Sequence, residues 1–190
     1  MAETGDAANA FKVSVLPSTN FLTQRAFSIV VASDLGDGIG TGTAIPWTVP
    51  EDIKLFKDLT TTAAKGKKNC VIMGRKTWES IPEKFRPLPG RLNVVLSSTL
   101  ELGSSDPAAA VLQIRGSLKD ALTKLAEPQF SDIDKVFCIG GGVVYAEAFQ
   151  QPCVRVLQAV YRTKIHLTTE CSVKFTLTSP AGVQLGRNCA

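Results

Sequence analysis

The chain has 190 residues, 44% of them apolar, a net charge of +4, and no run of Lys or Arg interleaved with aromatics. Such a chain suits one globular domain with a sizeable core, and its weak, scattered charge argues against nucleic acid while leaving small anionic ligands open. No apolar stretch reaches the length of a membrane span; one histidine (His166) and five cysteines without a C-x-x-C make metal chemistry unexpected.

Residues 1–25 are polar and Ala-rich, with acids at Glu3 and Asp6 and no secretory pattern. They are expected to form a flexible extension, with a cytoplasmic location as the default. The first apolar run, residues 27–32, predicts a buried strand. After the turn at Asp34-Leu35-Gly36-Asp37, Thr48 and Glu51 form a T-x-x-E capping box with Pro50 in the first turn, which predicts a helix over 48–60. Asp52, Phe56 and Leu59 follow at i, i+4 and i+7 with Ile53 alongside, and this stripe is expected to face the core. Two readings of Asp52 stand. It is a wet first-turn acid complementing the helix dipole, or a carboxylate in an apolar setting that needs a cationic or amidine-like ligand.

The strand predicted at 70–73 ends in Gly74-Arg75-Lys76-Thr77-Trp78, where two cations and a hydroxyl open a short helix. Strand ends in open α/β sheets bind ligands, although plain surface charges remain the alternative. Arg91 follows Pro87-Leu88-Pro89-Gly90 and begins the strand at 92–96. It is set either to clasp a carboxylate bidentately or to make a surface salt bridge. That strand ends in Ser97-Ser98 with no acid; hydroxyls beside Arg75 and Lys76 suit the extra phosphate of NADP. Residues 100–110 read as a surface connection to a strand at 111–114. Ser117 and Asp120 start a helix over 118–126. A strand at 136–139 then runs into Gly140-Gly141-Gly142 and a helix over 143–149. Backbone N–H groups there make an anion site, or the glycines serve only tight strand–helix packing. The last apolar strand is 154–161. Strands alternating with helices predict an α/β sheet covered on both faces.

The fragments IPWTVPEDIKLF, VIMGRKTWESIPEKFRPLPGRLNVVLS, CIGGGVVY and YRTKI, in this order over most of residues 26–175, resemble dihydrofolate reductase. The match is most similar to the protist type that carries thymidylate synthase on the same chain. The resemblance implies a mostly parallel twisted sheet with helices on both faces, a folate enzyme of the antifolate-target kind, and reduction of dihydrofolate to tetrahydrofolate with NADPH. It implies a catalytic set of Asp52, Thr163 and Trp47, with Asp52 on the amidine-like edge of the pterin and Thr163 bridging to its amino group. Val30, Val31, Ile45, Ile53, Phe56, Ile81 and Ile139 would line the folate site, and Arg91 would hold the α-carboxylate. Gly140, Gly141, Gly142, Val143, Val144 and Tyr145 would border the pyrophosphate, with a cis peptide at Gly140–Gly141. Gly74, Arg75, Lys76 and Thr77 would meet the phosphates, and Ser97 and Ser98 the adenosine. Val31, Ile39 and Gly40 would touch the nicotinamide end, with Gly38, Ile39, Gly40, Ile45 and Trp47 in a mobile closing loop.

Ser98 stands where many members have an arginine for the 2′-phosphate, so Arg75, Lys76 or Arg115 must supply that charge. The family's adjacent aromatics are interrupted by Lys174. Its final antiparallel strand, which should pair beside residues 154–163, has no counterpart in a divergent tail at 176–190. The chain is therefore expected to be truncated, with a reductase domain over 26–175. Its alternative is an inert relative that only binds NADPH or folate.

Overall fold

Alternation of apolar side chains at a period of two builds a sheet buried on both faces. The computed structural model describes residues 8–14 (backbone), 24–42, 44–99, 110–150 and 152–176. Strands β2 (Phe27–Ser33), β4 (Lys68–Gly74), β5 (Arg91–Leu96), β6 (Val111–Ile114), β7 (Ile133–Cys138) and β8 (Leu157–Ile165) pair in parallel. Antiparallel β1 (Ala8–Ser14) completes a seven-stranded sheet of order β1-β8-β2-β7-β4-β5-β6. Cys70, Ile72, Leu92 and Val94 point to one face, where they pack on Leu118 and Leu122 of α3 (Leu118–Lys124) and Val144 and Tyr145 of α4 (Gly142–Ala148). Val71, Met73, Val95 and Phe137 point to the other. There they meet Trp78 of α2 (Arg75–Ser80) and Leu59 of α1 (Pro50–Thr61). Those that are fully buried, such as Ile72, Met73, Leu92 and Leu122, each contribute roughly 1.5–3 kcal/mol.

Local signals differ in how well they survive. The Ser117–Asp120 capping box forms: the Asp120 backbone N–H donates to Ser117 Oγ and the Ser117 N–H donates to Asp120 Oδ2 at 2.8 Å. The Thr48–Glu51 box does not. Helix α1 starts at Pro50, so Val49 is the N-cap and no side chain caps it. Residues 153–156 form a 3₁₀ turn, and β8 begins only at Leu157. The stripe of Asp52, Phe56 and Leu59 lines a cleft, and only Thr60 of α1 is fully buried.

The N-terminal expectation is overturned at residues 8–14. They form β1, paired with β8 from Ala8↔Ile165 to Ser14↔Ala159. A parallel core strand such as β8 leaves a row of N–H and C=O groups along its outer side, and pairing satisfies them. The edge lacking a closing strand is therefore taken by the N-terminal segment. At the other end β9 (Val173–Lys174) pairs antiparallel with β3 (Gly38–Gly40), and Phe175 is buried edge-on against Tyr145 and Phe149 at ring distances of 5.2 and 5.9 Å. The divergent tail beyond Thr176 lies outside the described residues. Cys70, Cys138 and Cys153 are buried free thiols; burial pushes the Cys138 thiol up to about 12. Among the described residues no helix is long and apolar enough to cross a membrane, and no group of His, Cys, Asp or Glu could hold a metal ion.

Candidate active site

The carboxyl ends of β2, β4, β5, β7 and β8 open into one cleft of about 1180 Å³. Its centre is where β4 and β7 end side by side. The Gly74 N–H donates to the Gly140 carbonyl at 2.7 Å and the Ile139 N–H to the Ile72 carbonyl at 2.9 Å, locking the two turns together. The Gly140–Gly141 peptide is cis, and Gly140 has φ of +103°, a region that favours glycine. A Cβ on Gly140 would also collide with the Tyr145 ring at 2.7 Å. One on Gly141 would sit 3.1 Å from Thr77 Oγ1, so the opening turns of α2 and α4 face each other across the gap. Gly141, Gly142, Val143 and Val144 line this wall, and Val143 is 80% exposed. The first turn of α4 carries N–H groups with no intrahelical acceptor, which makes this wall a fit for phosphate oxygens. Arg75, Lys76, Thr77, Ser97, Ser98 and Arg115 continue it, with Gly74 at their base. Arg75 is engaged by Glu79 at 2.9 Å.

The other half of the cleft is apolar around one carboxylate. Val30, Val31, Ile139 and Tyr161 form its floor and Phe56, Leu59, Ile81 and Leu88 its flank, with Ile45 and Ile53 at the rim. Burial raises the Asp52 carboxyl above the usual carboxylate range, and the nearby Thr163 hydroxyl offsets part of the rise. Thr163 is itself buried on β8, opposite Ala32 of β2. Tyr145 closes the junction between the halves by donating its hydroxyl to the Val30 carbonyl at 2.8 Å.

Residues 26–183 match the dihydrofolate reductase family. The chain belongs to that family. It is 47% identical to the bifunctional dihydrofolate reductase-thymidylate synthase of Leishmania major, over 89% of this chain and 36% of that protein. The bifunctional enzyme of Crithidia fasciculata is 48% identical, over 87% and 36%. Among solved structures, Schistosoma mansoni dihydrofolate reductase superposes with a TM-score of 0.67 at 40% identity, each chain 80% covered. The chain thus spans about a third of the length of the curated relatives it matches.

Within this dihydrofolate reductase fold the cleft gathers Asp52, Thr163 and most of the residues that the resemblance implied. Four stand back from its walls. Trp47 is half-buried outside them, Gly38 is buried on β3, Gly140 lies against the Tyr145 ring, and buried Arg91 lies over the Phe56 ring. Sequence reasoning missed Arg162, Val173 and Glu147. Arg162 lines the cleft, yet its guanidinium is turned toward Ser33 Oγ (2.9 and 2.7 Å) and Asp37, which also binds Lys164. These cations hold the Asp37 carboxyl below its usual range. Val173 reaches the cleft from β9, where it packs on Gly142, and Glu147 accepts from the Leu118 N–H at 2.7 Å. Alternation along YRTKI puts Arg162 next to Thr163 on the strand. Nothing local in the sequence marks Val173 or Glu147.

Proposed function

We propose that this chain reduces 7,8-dihydrofolate to 5,6,7,8-tetrahydrofolate with NADPH. The observation that carries the reading is a single carboxylate, Asp52, raised by burial in the apolar half of a cleft whose other half is lined by glycines and cations. An amidine-like pterin edge gives such a carboxylate the charge-assisted partner that its burial demands. In this reading Asp52 accepts from the ring N–H and amino group, and Thr163 bridges carboxylate and amino group. Val30, Val31, Phe56, Ile81 and Ile139 hold the ring flat so that its C6 faces the cofactor half. Asp52 meets the edge away from C6, so it polarises the ring while water delivers the proton to N5. Ile45 and Ile53 at the rim limit water entry.

NADPH, when bound, supplies the hydride. Gly141, Gly142, Val143 and Val144 would hold its pyrophosphate, with Gly74, Arg75 and Thr77 nearby. Ser97 and Ser98 would meet the adenosine, and Lys76 and Arg115 would give the 2′-phosphate its charge. Ile39 and Gly40 would cover the nicotinamide end, with Trp47 behind their loop. By likeness to the bifunctional relatives, we place this reductase on one chain with a thymidylate synthase portion, in the cytosol, where buried free thiols persist. The binding-only alternative rested on an open edge at β8, and the pairing of β1 there removes that reason. The test is cofactor oxidation with dihydrofolate, comparing NADPH with NADH. The expected result is one tetrahydrofolate formed per NADPH consumed and a marked preference for NADPH. Oxidation independent of dihydrofolate would contradict the reading.

A further inference from the structure

Arg162 is a buried cation that the proposed reaction does not use. It stands on β8 opposite Val31 of β2 and lines the cleft. Alternation along β8 puts it with Val160 on the sheet face that packs against α4, whereas Thr163 shares the other face with Tyr161. Its guanidinium lies over the Phe175 ring at 5.6 Å, and that ring packs edge-on against Tyr145. Through Val31, Tyr145 and Phe175 it belongs to the wall where Ile39 and Gly40 would cover the nicotinamide end.

The charges around Arg162 do not balance toward the cleft. Its Nε and Nη2 donate to Ser33 Oγ, and Nη2 also donates to Asp37. Lys164 Nζ donates to the same Asp37 oxygen at 2.6 Å, so two cations share one carboxylate. The partners also differ in exposure: the Arg162 side chain is 9% exposed and that of Asp37 50%. Water screens the anion far more than the cation, so the field reaching the cleft from this cluster is positive. Asp34 is not among the residues lining the cleft, and its oxygens accept from Gly36, Gly38 and Thr169. Of the acids that do line it, Asp52 comes from α1 on the other face of the sheet, and Glu147 is taken by the Leu118 N–H.

We propose that Arg162 is a specificity-determining residue for the oxidation state of the cofactor: its buried charge favours the neutral reduced ring over the cationic oxidised one. This rests on the reading of the cleft as an NADPH site given above. Loss of a hydride leaves the nicotinamide ring with a positive charge that the reduced ring lacks, so a fixed cation behind this wall disfavours only the oxidised form. The cleft then releases spent cofactor and takes up fresh NADPH. Asp37 moderates the effect, and it can be neutralised in place. Its φ of 65° lies in the left-handed region, which asparagine also tolerates, so Asp37→Asn removes the anion and keeps the backbone.

The test measures dissociation constants by isothermal titration calorimetry for the wild-type chain and for Arg162→Met, Arg162→Lys and Asp37→Asn. The ligands are NADPH, NADP+ and 2′-phosphoadenosine diphosphoribose, which lacks the nicotinamide ring. Arg162→Met should lower the ratio of the NADP+ to the NADPH dissociation constant about fivefold, equal to about 1 kcal/mol, with the ring-less ligand unchanged within about twofold. Arg162→Lys should keep the wild-type ratio within about twofold, and Asp37→Asn should raise it about threefold. The Asp37→Asn shift carries the test if Arg162→Met does not fold. A ratio unchanged in both Arg162→Met and Asp37→Asn, with NADPH bound by the wild-type chain, would overturn the role of Arg162 and leave the NADPH reading intact. Equal weakening of all three ligands by Arg162→Met would mark Arg162 as merely structural and overturn the proposal. No binding of NADPH by the folded wild-type chain would overturn both.

Discussion

Asp52 and Asp34 are both withdrawn from water, and their titrations run in opposite directions. Burial raises Asp52, so the native state holds its proton more tightly than the unfolded chain does. Stability of the ligand-free protein must then fall as pH rises from the unfolded value, about 3.9, through the raised folded value. Asp52→Asn removes that penalty. It should stabilise the protein at neutral pH in urea unfolding, with the gain vanishing below about pH 4. Asp34 is 1% exposed. Burial alone would raise its carboxyl, but hydrogen bonds from the Thr169 hydroxyl and from the Thr169, Gly38 and Gly36 N–H groups hold it below its usual range. Its contribution is complete above the unfolded value and is lost as pH falls through the folded one. Asp34→Ala should therefore cost about 3 kcal/mol at neutral pH, a deficit that shrinks in the same unfolding assay below about pH 4.

At the scale of elements, two pairings tie the ends of the described chain to the site. Strand β1 covers the edge of β8, the strand that carries Arg162 and Thr163. Removing residues 1–14 should lower stability by roughly 3 kcal/mol and promote association through the bared edge, measured by urea unfolding and light scattering. Strand β9 clamps β3 while Phe175 supports Tyr145 behind the glycine turn. Phe175→Ala should cost about 3 kcal/mol and weaken NADPH more than folate in calorimetry. The central strands and the Ser117 box were legible because their apolar periods and caps are local. The two end pairings were not. β1 gains its strand from an edge about 150 residues away (Ala8↔Ile165), and two-residue β9 is set by the Gly38–Gly40 loop. The failed Thr48 cap shows the limit of a motif when the following proline sets where the helix begins.

For the molecule as a whole, a sheet with one core on each face brings five strand ends to a single cleft. The parts of the site carried by contiguous motifs, such as the glycine turn and the Asp52 helix, were readable in the sequence. The long-range supports were not: Ser33 and Asp37 on Arg162, and Thr60 on Arg91, join residues that no local pattern pairs. The proposed function places dihydrofolate reduction in this cleft, around Asp52. The most direct measurement is steady-state NADPH oxidation with dihydrofolate by the 190-residue chain and by its Asp52→Asn variant. The expected result is turnover by the wild-type chain and a loss of about a hundredfold or more in kcat for the variant, with folate still bound. Unchanged turnover in the variant, or none from a folded wild-type chain that binds both ligands, would contradict the proposed role of Asp52 and the proposed reaction.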